Sequence, residues 1–195
     1  MSLFRWKTPD PKTPFAPNWD VPIWSDVFPV DKNWIKEDLG DWKSYNIFHD
    51  GIYNTLLGII KHACYEFADE LEYKLPDNLW IRGWMNIMNE GDELNLHSHS
   101  YHENTFLSGN MLLNSSSVST EYVIPNFSTC NGTFKPNPVE GNLVLFPSWV
   151  EHFVPKVNEK RCCAAWDLYT NESMEYMRNN KSDSQMELAL SLIHI

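Results

Sequence analysis

Gly91-Asp92-Glu93-Leu94-Asn95-Leu96-His97-Ser98-His99 is the stretch from which the rest of the chain can be read. In an extended strand, residues two apart face the same side, so His97 and His99 aim their imidazoles into one space. Phe146-Pro147-Ser148-Trp149-Val150-Glu151-His152 answers it, because His152 follows an apolar run that reads as another strand. Arg161 stands nine residues further on and opens a third. Two histidines on one strand, one on another and an arginine nearby predict a metal site with an anion clamp beside it.

Working outward, the texture from residue 79 to 170 is one of short strands separated by turn signals. Residues 79–88 read as a strand closed by Asn89-Glu90-Gly91-Asp92. Strands are also predicted over 105–113, 118–125, 141–147, 150–154 and 161–169, with a turn-rich stretch at 126–140. Such a series points to a sandwich or barrel, mainly β with supporting helices. Residues 50–74 carry the best helical pattern: Asp50 is a candidate N-cap, and Ile52, Leu56, Ile59, Ile60, Ala63, Phe67 and Leu71 recur at helical spacing. That stripe reads as core packing, and His49 and His62 as structural. Residues 1–30 contain six prolines interleaved with Trp6, Phe15, Trp19, Trp24 and Phe28, and read as an extended arm, with room for one short edge strand, lying across the domain. Residues 171–195 are polar and then apolar, a tail expected to form a helix that docks on the domain or on a second copy of the chain. One domain over residues 1–195 is expected, with 79–170 as its core and a homodimer left open.

Composition sets the outer bounds. The chain has 195 residues, is 43% hydrophobic and 14% aromatic, and so has the means to bury a core. A net charge of -11 argues against broad electrostatic binding to nucleic acid. Cys64, Cys130, Cys162 and Cys163 form no CxxC pair and no disulfide framework. Neither a signal peptide nor a membrane-length apolar run is visible, so the expected compartment is cytoplasmic.

Trp84-Met85-Asn86, Gly91, His97-x-His99, Leu107-Ser108-Gly109, residues 141–149, His152 and Arg161 together resemble the 2-oxoglutarate/Fe(II)-dependent dioxygenases, in a branch with an HxH…H…R pattern. The resemblance covers residues 79–170. It implies a double-stranded β-helix, or jelly roll, and an enzyme that couples oxidative decarboxylation of 2-oxoglutarate to hydroxylation of a small-molecule or peptide substrate. Carried over by position, His97, His99 and His152 would hold Fe(II), and Arg161 would take the distal carboxylate of 2-oxoglutarate through a planar fork that lysine lacks. Asn86 is a further candidate for the co-substrate. Asp167 shares the strand face of Arg161 and is expected near the metal or its waters. His99 stands where most of the superfamily has Asp or Glu, which raises the net charge of the site by one and leaves Glu103 or Asp167 to supply an anion.

A second likeness competes. Gly91-x5-His97-x-His99-x3-Glu103, then Gly141-x5-Pro147-x4-His152, is similar to the paired motifs of the cupins, whose ligand set here would be His97, His99, Glu103 and His152. It would make the chain a cupin-type metal enzyme that does not use 2-oxoglutarate, or a non-catalytic metal- or ligand-binding barrel. Trp149 stands where that motif has glycine, and Arg161 at its offset favours the oxygenase reading.

Overall fold

The computed structural model describes residues 2–8, 10–16, 18–36, 45–99, 102–123, 132–179 and 190–194. Among them the chain is mainly antiparallel β, with eleven strands and two α-helices: β1 (Ser2–Lys7), β2 (Asp20–Val27), α1 (Asn54–Glu70), β3 (Asn78–Met88), β4 (Leu94–His97), β5 (Leu107–Leu112), β6 (Glu121–Val123), β7 (Thr133–Phe134), β8 (Asn142–Pro147), β9 (Glu151–Val154), β10 (Arg161–Tyr169), α2 (Asn171–Asn179) and β11 (Ser191–His194). They form a seven-stranded sheet in the order β1-β2-β8-β5-β10-β3-β11 and a four-stranded sheet in the order β4-β9-β6-β7.

The period of two along β10 sorts its side chains between two environments. Cys162, Ala164, Trp166 and Leu168 enter the main core with Leu56, Ile60, Ala63 and Phe67 of α1, while Arg161, Cys163, Ala165 and Asp167 take the other face. On β3 the direct partners of those four are Met88, Asn86, Trp84 and Arg82, which therefore line the same side. Trp166 lies between Gly83 of β3 and Gly109 of β5. A Cβ on Gly109 would come within 2.6 Å of the indole, and one on Gly83 within 2.3 Å of the Phe48 ring. The two glycines make room for aromatic rings that close the helix side of the sheet. Gly141 opens β8 at φ +83, and a Cβ there would meet the Phe28 carbonyl oxygen at 2.0 Å. Only glycine serves at that crossing.

Several sequence expectations are corrected. The proline-rich stretch is part of the sheet: β1 pairs with β2, and β2 with β8. Pro22 is tolerated because the β8 pairing starts at Trp24, so its missing N–H interrupts no ladder. The helix is shorter than 50–74, since Asp50 caps a single 3-10 turn, Gly51–Tyr53, that precedes α1. His62 packs edge-on against Phe28 with ring centroids 6.1 Å apart, and His49 is exposed. The expected terminal helix is replaced by α2 and by β11, which pairs along β3 from Ser191↔Ile81 to His194↔Asn78. Residues 124–131 (with Cys130 and the expected strand end at Pro125) and 180–189 lie outside the described residues. No helix among those described is long and apolar enough to cross a membrane.

Candidate metal centre

β4 and β9 meet in the smaller sheet with His97 directly opposite His152, and the register of β4 shifts between Leu94 and His97. β4 ends at His97, so His99 lies beyond the strand. Its main-chain N–H donates to the Ser148 carbonyl at 2.9 Å, which brings the segment after β4 against the turn between β8 and β9. By this route the three rings converge: one ligand atom from each of His97, His99 and His152 lies within 4.8 Å of the other two.

Each ring already has a partner at Nδ1. His97 Nδ1 is 2.8 Å from the Asn95 carbonyl oxygen, and His152 Nδ1 is 2.9 Å from that of Val150. A carbonyl only accepts, so both Nδ1 atoms carry the proton, and both Nε2 lone pairs stay available to a metal. His99 Nδ1 contacts the Asp167 carboxylate, which gives it the same tautomer by another device. Burial pushes His152 down to about 3, helped by the neighbouring His99 and His97 rings. His97 is lowered too, chiefly by burial. For His99 burial works downward as well, but the Asp167 charge and hydrogen bond outweigh it and raise the ring above its ordinary value. Burial would lift Asp167, yet the charge of His99 and hydrogen bonds from His99, Ser108 and Tyr169 hold it below the usual carboxylate value.

Arg161 is 1% exposed at the start of β10. Its Nη2 donates to Thr120 Oγ1 at 2.9 Å, its Nη1 lies 3.9 Å from Met88 Sδ, and its Nε has no partner. Among the described residues no carboxylate forms an ion pair with it. Tyr122 and the Cys163 thiol adjoin it, and burial raises the pKa of both, so both are neutral. A guanidinium held among neutral groups with one donor unused fits an incoming anion. Asn86 is half-buried on the same face as Arg161.

Glu103 does not join the cluster. The strand carrying His97 does not continue to it, and Glu103 is exposed in the turn after His102, whose ring stacks on Tyr176 at 4.1 Å. With Thr105 and Trp149 these two residues line an open hollow of about 520 Å³. Ser108 and Ser148 fell inside the motifs quoted from the sequence but were given no role there, and Thr120 and Tyr169 were not singled out. A buried acid at 167 needs donors, and Ser108, its cross-strand partner on β5, was the one readable signal.

No protein-family model and no curated protein matches the chain. Among solved structures, a prolyl-4-hydroxylase from Pseudomonas putida is similar with a TM-score of 0.50 at 15% identity, over 63% of this chain and 69% of that one. A 2OG-Fe(II) oxygenase family oxidoreductase from Burkholderia pseudomallei gives 0.47 at 12%, over 76% and 68%. A prolyl hydroxylase from Trichoplax adhaerens, in complex with a hypoxia inducible factor peptide fragment, gives 0.43 at 11%, over 62% and 59%. The first of these likenesses is one of fold: a mainly antiparallel β architecture also used by a prolyl-4-hydroxylase. The cluster of His97, His99 and His152 is compatible with an HxH…H pattern.

Proposed function

We propose that this chain is a 2-oxoglutarate- and Fe(II)-dependent oxygenase that hydroxylates a small-molecule or peptide substrate. Its frame on this reading is a double-stranded β-helix, and what favours that is the strand order. From β3 to β10 successive strands alternate between the two sheets, apart from the β6–β7 hairpin, so that β8-β5-β10-β3 stands opposite β4-β9-β6-β7. The observation that carries the functional reading is the buried Arg161, which meets no carboxylate among the described residues, on the strand whose other end holds Asp167 against His99.

His97, His99 and His152 hold the iron through Nε2, each ring oriented by its Nδ1 partner. Arg161 and Thr120 hold the distal carboxylate of 2-oxoglutarate. Cys163 and Ala165, between Arg161 and Asp167 on one face, are small enough to leave room for a slender acid. Iron and 2-oxoglutarate supply the oxidising chemistry, and the chain's own work is to bind, orient and exclude water. Trp84, whose ring lies 5.7 Å from His99, and Phe146, 4.9 Å from His152, form dry walls around the imidazoles. The hollow lined by Trp149 and His102 would serve as the approach for substrate, since Trp149 follows Ser148, whose carbonyl holds the main chain of His99. Glu103 lies outside the histidine cluster, so the four-ligand cupin set is not favoured.

The test is anaerobic titration of the Fe(II) protein with 2-oxoglutarate, following the visible charge-transfer band of the chelate. The band is expected in the parent and absent in His152→Ala, which should also lose its iron. A parent protein that binds iron yet develops no band would count against 2-oxoglutarate as the co-substrate.

A further inference from the structure

We propose that Asp167 is the anion of this metal centre, placed one hydrogen bond behind it and acting through His99 as a positioning residue. The proposal rests on the reading of the three histidines as ligands. Three neutral imidazoles bring no negative charge to a divalent cation, whereas two histidines and a carboxylate bring one. Asp167 restores that charge at second remove. Its side chain is buried, and among the described residues its hydrogen bonds come from donors: His99 Nδ1 and Ser108 Oγ (2.5 Å) on Oδ1, and the Tyr169 hydroxyl (3.2 Å) on Oδ2. A carboxyl surrounded by donors is held as the carboxylate.

The contrast among the three rings shows why this residue is needed. His97 and His152 sit in paired strands, and each is fixed by the carbonyl two residues before it. His99 lies off the strand, where no ladder sets its direction. Three contacts replace the ladder: its main-chain N–H reaches the Ser148 carbonyl, its ring Nδ1 reaches Asp167, and Ser108 Oγ lies 3.1 Å from the same nitrogen. Ser108 joins the two anchors, since its Oγ donates to Asp167 and lies 2.8 Å from Ser148 Oγ. A carboxylate accepting from Nδ1–H also makes Nε2 a stronger donor to the metal. A purely structural role is the competing account, because buried Arg82 is the direct cross-strand partner of Asp167.

Asp167→Asn separates the two, since the amide oxygen still accepts from the ring but the charge is gone. Fe(II) binding, measured anaerobically against a competing chelator, should weaken by roughly 10–100-fold. The Fe(III)/Fe(II) potential should move upward. A merely structural role would lower the melting temperature of the metal-free variant and leave affinity and potential at parental values, which would overturn the proposal. Should Asp167→Asn not fold, Ser108→Ala tests the same link while keeping the charge: it removes a donor to Asp167 and the 3.1 Å contact of Ser108 Oγ with His99 Nδ1, which leaves the carboxylate a stronger acceptor for the ring. The potential should then move downward, opposite to Asp167→Asn, and no shift, or an upward one, overturns the proposal. A parent protein that takes up no iron, or a His152→Ala variant that keeps it, sinks the metal reading itself and this proposal with it.

Discussion

Replacing Arg161 with methionine should make the ligand-free protein more stable and 2-oxoglutarate useless to it. The guanidinium is 1% exposed, its one hydroxyl partner among the described residues is Thr120 at 2.9 Å, and its Nε is unpaired. Holding a charge among neutral groups costs several kcal/mol, and apolar replacement of buried charges has stabilised proteins by about 1–4 kcal/mol. Methionine is long, unbranched and adaptable, so it fills most of the volume. At this chain length each kcal/mol moves the melting temperature by about 2–4 °C, which predicts a rise of several degrees. The parent should respond to the ligand instead: at a hundred times its dissociation constant, 2-oxoglutarate adds about 2.7 kcal/mol to the metal-loaded form. Thermal unfolding followed by circular dichroism, with and without 2-oxoglutarate under argon, reads both effects. The reasoning is refuted if Arg161→Met destabilises the ligand-free protein by more than about 1 kcal/mol, or if 2-oxoglutarate raises both melting temperatures equally.

Three other expectations follow from the same geometry. Glu103→Ala should leave Fe(II) affinity within about twofold, because the side chain lies in an exposed turn away from the histidines; a loss on the scale of His152→Ala would restore the cupin ligand set. In the metal-free protein His152 titrates at about 3 against an ordinary 6.5, so the unfolded chain binds the extra proton between those values. Its contribution is fully present above 6.5 and falls as pH drops, by about 2 kcal/mol at pH 5, a slope that urea unfolding should show in the parent and lose in His152→Phe. Gly109→Ala should cost about 1–3 kcal/mol of stability, since its Cβ would press on the Trp166 indole at 2.6 Å; an unchanged melting temperature would mean that the ring moves aside freely.

Much of this frame was legible because β10 alternates cleanly: the expected strand over 161–169 matches the observed Arg161–Tyr169, and parity sorted its faces. The same rule failed in β4. Parity along an unbroken strand put His97 and His99 together and the cupin spacing added Glu103, whereas the strand stops at His97, and the two histidines converge through a hydrogen bond to Ser148. That bond is long-range, and no local pattern announces it. Proline counting misjudged β2, since a proline is harmless where no neighbour needs its N–H. The apolar residues before His194 read as a helix, and became a strand only because β3 offered an edge to pair with. The donors around Asp167 were hidden for a related reason: serine and tyrosine inside apolar strands look like ordinary alternation until a buried acid is found among them.

The order of the larger sheet also sets which parts of the molecule can open without disturbing the rest. β1 and β11 form its two margins, while β10, with Arg161 and Asp167, has β5 on one side and β3 on the other. Breathing motions start where a strand has a single neighbour and few contacts. Amide protons of Ser2–Lys7 and Ser191–His194 should therefore exchange with solvent long before those of Cys163 to Asp167, whose release requires the sheet to come apart. Asp167, proposed to steady the third imidazole, thus shares the fate of the whole fold, and neither margin can fray deeply enough to loosen it.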